Sequence, residues 1–177
     1  MPVDRTISVD RATPVDRATP DDRATPVDRA MPLDRSWIEL NIPHHGRMCL
    51  LDEVVEWNSE RIRCRAGSHR LPDNPLRSRG RLGAAGGIEY AAQTMAAHGA
   101  LTGGTGRPEA GFLAGLRDVR LHVLRLDDIE GDLICDATML AGDRGTALYE
   151  FVLWTEAQPL LSGRATVVFD ANRQLHL

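Results

Sequence analysis

The sequence predicts an α+β fold in which one long central helix is wrapped by a curved antiparallel β-sheet. Two observations carry this expectation. The segments run β-β-α-β-β-β-β, with a single helix among many strands. That helix, "GIEYAAQTMAAHGAL" from Gly87 to Leu101, is small and apolar on almost every side. Ile88, Ala91, Ala92, Met95 and Gly99 make one stripe, and Ala96, Ala97 and Ala100 leave the opposite side nearly as apolar. A helix apolar all round is a buried one, and alanine and glycine let neighbouring backbone approach closely. At roughly 1.5 Å per residue, its length suits the width of a sheet that curls around it.

The first 35 residues stand apart. Aspartate recurs at Asp4, Asp10, Asp16, Asp22, Asp28 and Asp34, each followed by arginine. So short a period, rich in Pro, Asp and Arg, cannot bury enough apolar surface to offset ordering entropy. Residues 1–35 therefore read as a disordered tail or the read-through of a misplaced start. With six Arg against seven Asp, it is no polybasic arm for nucleic acid or membrane. Residues 36–172 form the expected globular domain, and 173–177 a frayed end.

Within the domain, "SWIELNIP" reads as a short helix or turn, followed by an apolar strand over Met48–Trp57. Asn58-Ser59 signals a turn. Beyond it Ile62, Cys64 and Ala66 alternate with Arg61, Arg63 and Arg65, as a half-exposed strand requires. The irregular "SHRLPDNPLRSRGRLGAA" precedes the helix. Four strands follow, near Phe112–Leu126, Asp132–Ala141, Thr146–Glu156 and Leu160–Phe169, punctuated by Gly131-Asp132, Gly142-Asp143 and Gln158-Pro159.

Composition excludes several function classes. All 21 basic residues are arginine, so neither a Schiff-base lysine nor a phosphate-loop lysine exists. No apolar run is long enough to span a bilayer, and no secretory h-region is present, so a cytoplasmic location and no membrane insertion are expected. Cys49, Cys64 and Cys135 lack metal-type spacing and read as buried thiols, and no metal is expected. Few aromatics and no recognised motif argue against nucleic acid.

The motif pieces are more telling together. "IPHHGRMCLLDEV", "SHRLPDNP" and "GIEYAAQTMA", in this order, resemble the hot-dog fold 3-hydroxyacyl-acyl-carrier-protein dehydratases, closest to a divergent branch associated with aryl polyene or fatty-acid-like pathways. The resemblance spans about residues 37–170. It implies that His69 and Glu89 are catalytic, His69 as the base on C2 and Glu89, protonated in an apolar pocket, assisting the hydroxyl that leaves C3. It implies substrate-binding positions at His44, Ala84, Gly86 and Gln93, the helix-start N–H groups facing the thioester oxygen. It implies a dimer, homo- or heteromeric, whose sites each take His and Glu from different subunits. It also implies acyl carrier protein as partner, with the substrate on a phosphopantetheine arm and no cofactor of the enzyme's own.

The residues also allow plainer roles. A first-turn glutamate favours the helix dipole by about 0.3–1 kcal/mol. Gln93, one turn on, is placed to hydrogen-bond it. His44 and His45 read as a turn at the tunnel mouth, His98 as a helix-end residue, His122 as solvent-facing and His176 as terminal. Departures from the family pattern are Arg70-Leu71-Pro72 after His69, a longer loop between His69 and Glu89, and Gly83-Ala84 before the helix. From Arg61 to Arg81 seven arginines face one acidic residue, Asp73. Arg70, Arg77, Arg79 and Arg81 are the expected carrier-protein patch. A hot-dog thioesterase and a non-catalytic acyl-binding subunit remain the alternatives.

Overall fold

The computed structural model describes residues 32–103, 111–143 and 145–169. The repeat before Pro32, Asp170 and the segment 173–177 lie outside the described residues. A two-residue strand β1 (Leu33–Asp34) leads into helix α1 (Arg35–Asn41), then β2 (Glu53–Trp57) and β3 (Arg61–Ala66). The central helix α2 (Gly87–Thr102) precedes β4 (Gly111–Leu121), β5 (Leu133–Gly142), β6 (Thr146–Trp154) and β7 (Pro159–Phe169). All seven strands join one sheet in the order β1-β2-β3-β5-β6-β7-β4, and every pairing is antiparallel. This is the hot-dog fold: one long helix held against a single antiparallel sheet.

The alternation in β3 places Ile62, Cys64 and Ala66 inside, and β5 and β6 repeat the pattern with Leu133, Cys135, Ala137, Tyr149, Phe151 and Leu153. These side chains meet Tyr90, Ala91, Met95 and Ala97 of α2, which packs against β3, β5 and β6. No residue from Gly87 to Leu101 is exposed. The approach is close at the helix start, where a Cβ on Gly87 would lie 2.8 Å from both Leu153 Cδ2 and Leu161 Cδ2. Glycine there is a packing requirement.

Three boundaries differ from the sequence reading. The domain begins before Ser36, because Leu33 and Asp34 pair with Val54 and Glu53, and Asp34 caps α1 through Trp37 N–H. Arg35 Nη2 donates to the carbonyls of Gly46 (2.8 Å) and Cys49 (2.7 Å), holding the loop that carries His44. The strand expected from Met48 starts at Glu53, since Leu50 N–H is bonded to the side chain of Gln93 instead of a neighbouring strand. The strand expected to reach Leu126 stops at Leu121. Beyond it Leu124 and Leu126 turn back and pair with the pre-helix loop, through Ala84 N–H to Leu124 O (3.0 Å) and Leu126 N–H to Leu82 O (2.8 Å).

Strand β4 is one of the two sheet edges, β1 being the other. Among the described residues β4 pairs only with β7, and Phe112, Leu113, Leu116, Val119 and Leu121 along it are exposed. Among the described residues no helix is long and apolar enough to cross a membrane.

Candidate active site

Glu89 occupies the first turn of α2, and its carboxylate is clamped by two side chains. His44 Nε2 lies 3.1 Å from Oε1, and Gln93 Nε2 donates to the same oxygen at 3.0 Å. Gln93 is itself fixed. Its Nε2 also donates to Met48 O (2.8 Å), and its Oε1 accepts from Leu50 N–H (2.9 Å). One buried amide therefore ties the helix head to the segment carrying His44. Burial pushes the Glu89 carboxyl up, but the bonds from His44 and Gln93 outweigh it and hold the group below its usual value. The protonated Glu89 expected from an apolar pocket is thus corrected to a carboxylate. The helix head is polar where it faces His44.

His69 sits in a short turn, Ser68–Arg70, with no solvent exposure. Its Nε2 is 3.2 Å from Ile129 O. A carbonyl only accepts, so this nitrogen carries the proton and Nδ1 keeps its lone pair. Nδ1 is buried with no partner among the described residues. Burial lowers the His69 pKa, so the ring is neutral at pH 7 and able to accept a proton at Nδ1. No hydrogen bond joins His69 to Glu89 among the described residues.

The long loop between them is anchored by a network that sequence reasoning missed. Ser68 Oγ donates to Leu50 O (2.7 Å) and lies 2.9 Å from the Tyr90 hydroxyl. Asn74 Nδ2 reaches both Ser68 O (2.9 Å) and the Tyr90 hydroxyl (3.0 Å). Ser68, just before His69, and Asn74, a few residues after it, are thus tied to Tyr90, the residue after Glu89. The only sequence signal was a tyrosine in an alanine-rich helix.

The other expected positions divide. His44 and Gln93 are at the site. Ala84 and Gly86 adjoin it, but their N–H groups are already bonded to Leu124 O and Gly83 O, so neither is free for a thioester oxygen. Pairing of the pre-helix loop with Leu124–Leu126 is the reason at Ala84, and the tight turn Ala84–Gly86 is the reason at Gly86. Of the carrier-protein patch, Arg70 is held by Asp132 (2.9 Å) and the Gly131 carbonyl. Arg77 faces inward to His69 O (3.0 Å), Gly80 O (3.0 Å) and Asp127 (3.6 Å). Only Arg79 and Arg81 of the four are exposed without an ion pair to a described residue. Arg63 and Arg65 are likewise matched across strands by Asp136 (2.7 Å) and by Glu53 and Asp132 (both 2.8 Å). The +6 of the linear segment is therefore largely neutralised by its neighbours.

His98 is not a helix-end residue in contact with its own last turn. It is fully buried, with Nδ1 2.9 Å from the Tyr149 hydroxyl and Nε2 2.9 Å from Asn58 O. It bolts the end of α2 to β6 and to the turn after β2. His45 and His122 are exposed, and His176 is outside the described residues. Two open cavities, of about 110 and 650 Å³, lie on the outer sheet face around Arg63 and include neither His69 nor Glu89.

Comparison with known families is decisive at this point: the ApeP-like family, described as ApeP dehydratase, matches residues 37–176. The chain belongs to the ApeP-like dehydratase family. That membership makes it an enzyme of the hydro-lyase type. Among solved structures it is similar to "The Dehydratase Heterocomplex ApeI:P from Xenorhabdus doucetiae", at 21% identity and TM-score 0.68, over 82% of this chain and 94% of that one. It is also similar to zebra fish thioesterase superfamily member 2, at 14% identity and TM-score 0.54, over 77% and 95% of the two chains. At such identities both likenesses speak for the hot-dog fold alone. No curated protein is significantly similar in sequence.

Proposed function

We propose that this ApeP-like dehydratase eliminates water from a 3-hydroxyacyl thioester carried on acyl carrier protein, giving the trans-2-enoyl thioester in an aryl polyene or fatty-acid-like pathway. One observation carries the reading: a neutral buried imidazole with an unpartnered Nδ1, and a carboxylate clamped at the head of the buried helix. The first suits removal of the C2 proton, and the second suits assistance to the departing C3 hydroxyl. Among the described residues no hydrogen bond joins His69 to Glu89 within one protomer, and the apolar edge strand β4 supports a second hot-dog subunit completing the site. Phe112 and Leu121 flank that edge, at 60% and 51% exposure. The heterocomplex of the Xenorhabdus relative favours an unlike subunit as that partner, and a second copy of this chain is the other form. Arg79 and Arg81 are the charges left for the acidic carrier protein.

The test is direct. The protein, alone and with a second hot-dog subunit, is incubated with a short 3-hydroxyacyl carrier protein and followed by intact mass. Loss of water supports the proposal. Loss of the acyl group indicates a thioesterase, and no change with either partner state indicates a binding subunit. Glu89→Gln and His69→Ala are each expected to lower dehydration by about 10²–10⁴-fold with the fold retained. Near-normal turnover of Glu89→Gln would return Glu89 to helix-start duty.

A further inference from the structure

Arg77 lies among the exposed Arg70, Arg79 and Arg81, yet its guanidinium turns inward and only 14% of its side chain is exposed. We propose that Arg77 is the positioning residue of His69, holding the imidazole in the orientation and tautomer that leave Nδ1 as its free nitrogen. The consequence for turnover rests on the dehydratase reading above. Arg77 thereby moves from the carrier-protein surface to the support of the base.

One guanidinium reaches both supports of the ring. Nη2 donates to His69 O at 3.0 Å, fixing the backbone from which the imidazole projects. Nη1 lies 3.6 Å from Asp127 Oδ2. Asp127 belongs to the turn closed by Ile129 N–H to Leu126 O (3.1 Å), and Ile129 O takes the His69 Nε2–H at 3.2 Å. The backbone of the base and the turn that sets its tautomer are thus held by the same planar fork. The fork is itself fixed. Nη1 also donates to Gly80 O (3.0 Å), and the Arg77 N–H donates to Asn74 O (3.1 Å). Asp127 is kept in place by Leu82 N–H (2.9 Å) and Arg125 Nε (3.1 Å).

A purely structural role fits this side chain poorly. Arg77 Nε is buried with no partner among the described residues, and an apolar side chain of similar size would avoid that desolvation. Beside a base the charge has a use. Arg70 on the same turn, Arg77 from the loop and Asp132 just before β5 surround His69. Asp52 accepts from Gly67 N–H (2.6 Å) at the start of that turn, and Asp127 stands against Arg77. Burial lowers the His69 value most, and the bond to Ile129 O opposes it. The Arg70 and Arg77 cations lower it further, against the Asp132 carboxylate. Arg77 therefore favours the uncharged ring as well as its orientation.

The experiment compares parental protein, Arg77→Lys and Arg77→Met, each with its required partner subunit. It reads kcat, KM, the pH dependence of kcat/KM, thermal melting and NMR of the His69 ring nitrogens, identified by their loss in His69→Ala. The parent is expected to show a protonated Nε2 and a bare Nδ1. Arg77→Met is expected to show both tautomers and a kcat lower by about 10²-fold at unchanged KM. Its acidic limb should move to higher pH, because loss of a cation favours the imidazolium. Arg77→Lys keeps the charge without the fork, so kcat should fall while the limb stays in place. In a His69→Ala background Arg77→Met should cost nothing further, and an equal second loss overturns the inference. So does a folded Arg77→Met protein with one tautomer, an unmoved limb and kcat within about threefold of the parent. Where Arg77→Met fails to fold, parental kcat and a single tautomer in Arg77→Lys overturn it instead. A parental protein that never removes water, with the ring nitrogens responding as expected, overturns the dehydratase reading and leaves the positioning of His69 standing.

Discussion

Asn74 Nδ2 donates to the Tyr90 hydroxyl at 3.0 Å, and this bond ties the centre of the long loop to the helix residue beside Glu89. Asn74 serves the loop twice more, donating to Ser68 O at 2.9 Å and accepting from Leu76 N–H at 2.9 Å. The loop that differs most from the family pattern is therefore not loose around His69.

Removal of this amide is expected to be felt at both ends. Asn74→Ala leaves the buried Tyr90 hydroxyl and Leu76 N–H each short of a partner, a loss of about 1–3 kcal/mol. Urea denaturation should show the lower midpoint, and turnover should fall because the His69 turn loses its anchor. Tyr90→Phe is expected to be milder, since Ser68 Oγ keeps Leu50 O at 2.7 Å.

Acidification should weaken the fold in two stages. Burial lowers the pKa values of His69 and His98, so the unfolded chain binds their protons first. Their contribution is complete above about pH 6.5 and is lost as pH falls below it, at up to about 1.4 kcal/mol per pH unit for each group. Glu89, Asp127 and Asp132 have depressed values, so theirs is present above the ordinary carboxylate range and is lost at lower pH, as each folded-state value is crossed. Urea midpoints between pH 8 and 5 check the first stage, and His98→Gln should flatten it.

Two glycines near the helix start should respond oppositely to alanine. Gly87→Ala drives a Cβ against Leu153 and Leu161, both fully buried, and is expected to destabilise by about 1–3 kcal/mol. At Gly83 an added Cβ meets nothing within 4 Å and φ is −68°, so alanine is expected to be neutral or to stabilise by up to about 1 kcal/mol. Thermal melts of the two variants decide this.

Trimming the N-terminus should show a sharp boundary. A chain beginning at Pro32 keeps the pairing of Leu33 and Asp34 and every contact of Arg35, so its melting temperature should equal the parent's. A chain beginning at Ser36 loses the Asp34 cap, about 1 kcal/mol, together with the two Arg35 bonds to the His44 loop. A lower melting temperature and lower turnover are expected.

Elements whose information is local were legible along the chain. The apolar 16-residue helix α2, the inward Ile62, Cys64 and Ala66, and the Glu89–Gln93 pair follow from helix and strand periods that repeat within a few residues. The motif order from Pro43 to Gln93 likewise pointed to the family. Tertiary structure decided what depends on distant partners. The Arg61–Arg81 segment reads as strongly basic until strand register sets Arg63 beside Asp136 and Arg65 beside Glu53. Glu89 reads as an acid in an apolar pocket until the fold brings His44 to it from 45 positions away, and that contact reverses the balance between burial and ionisation. Such pairings are invisible along the chain because they arise from sheet register and loop path, where a shift of one residue exchanges every partner.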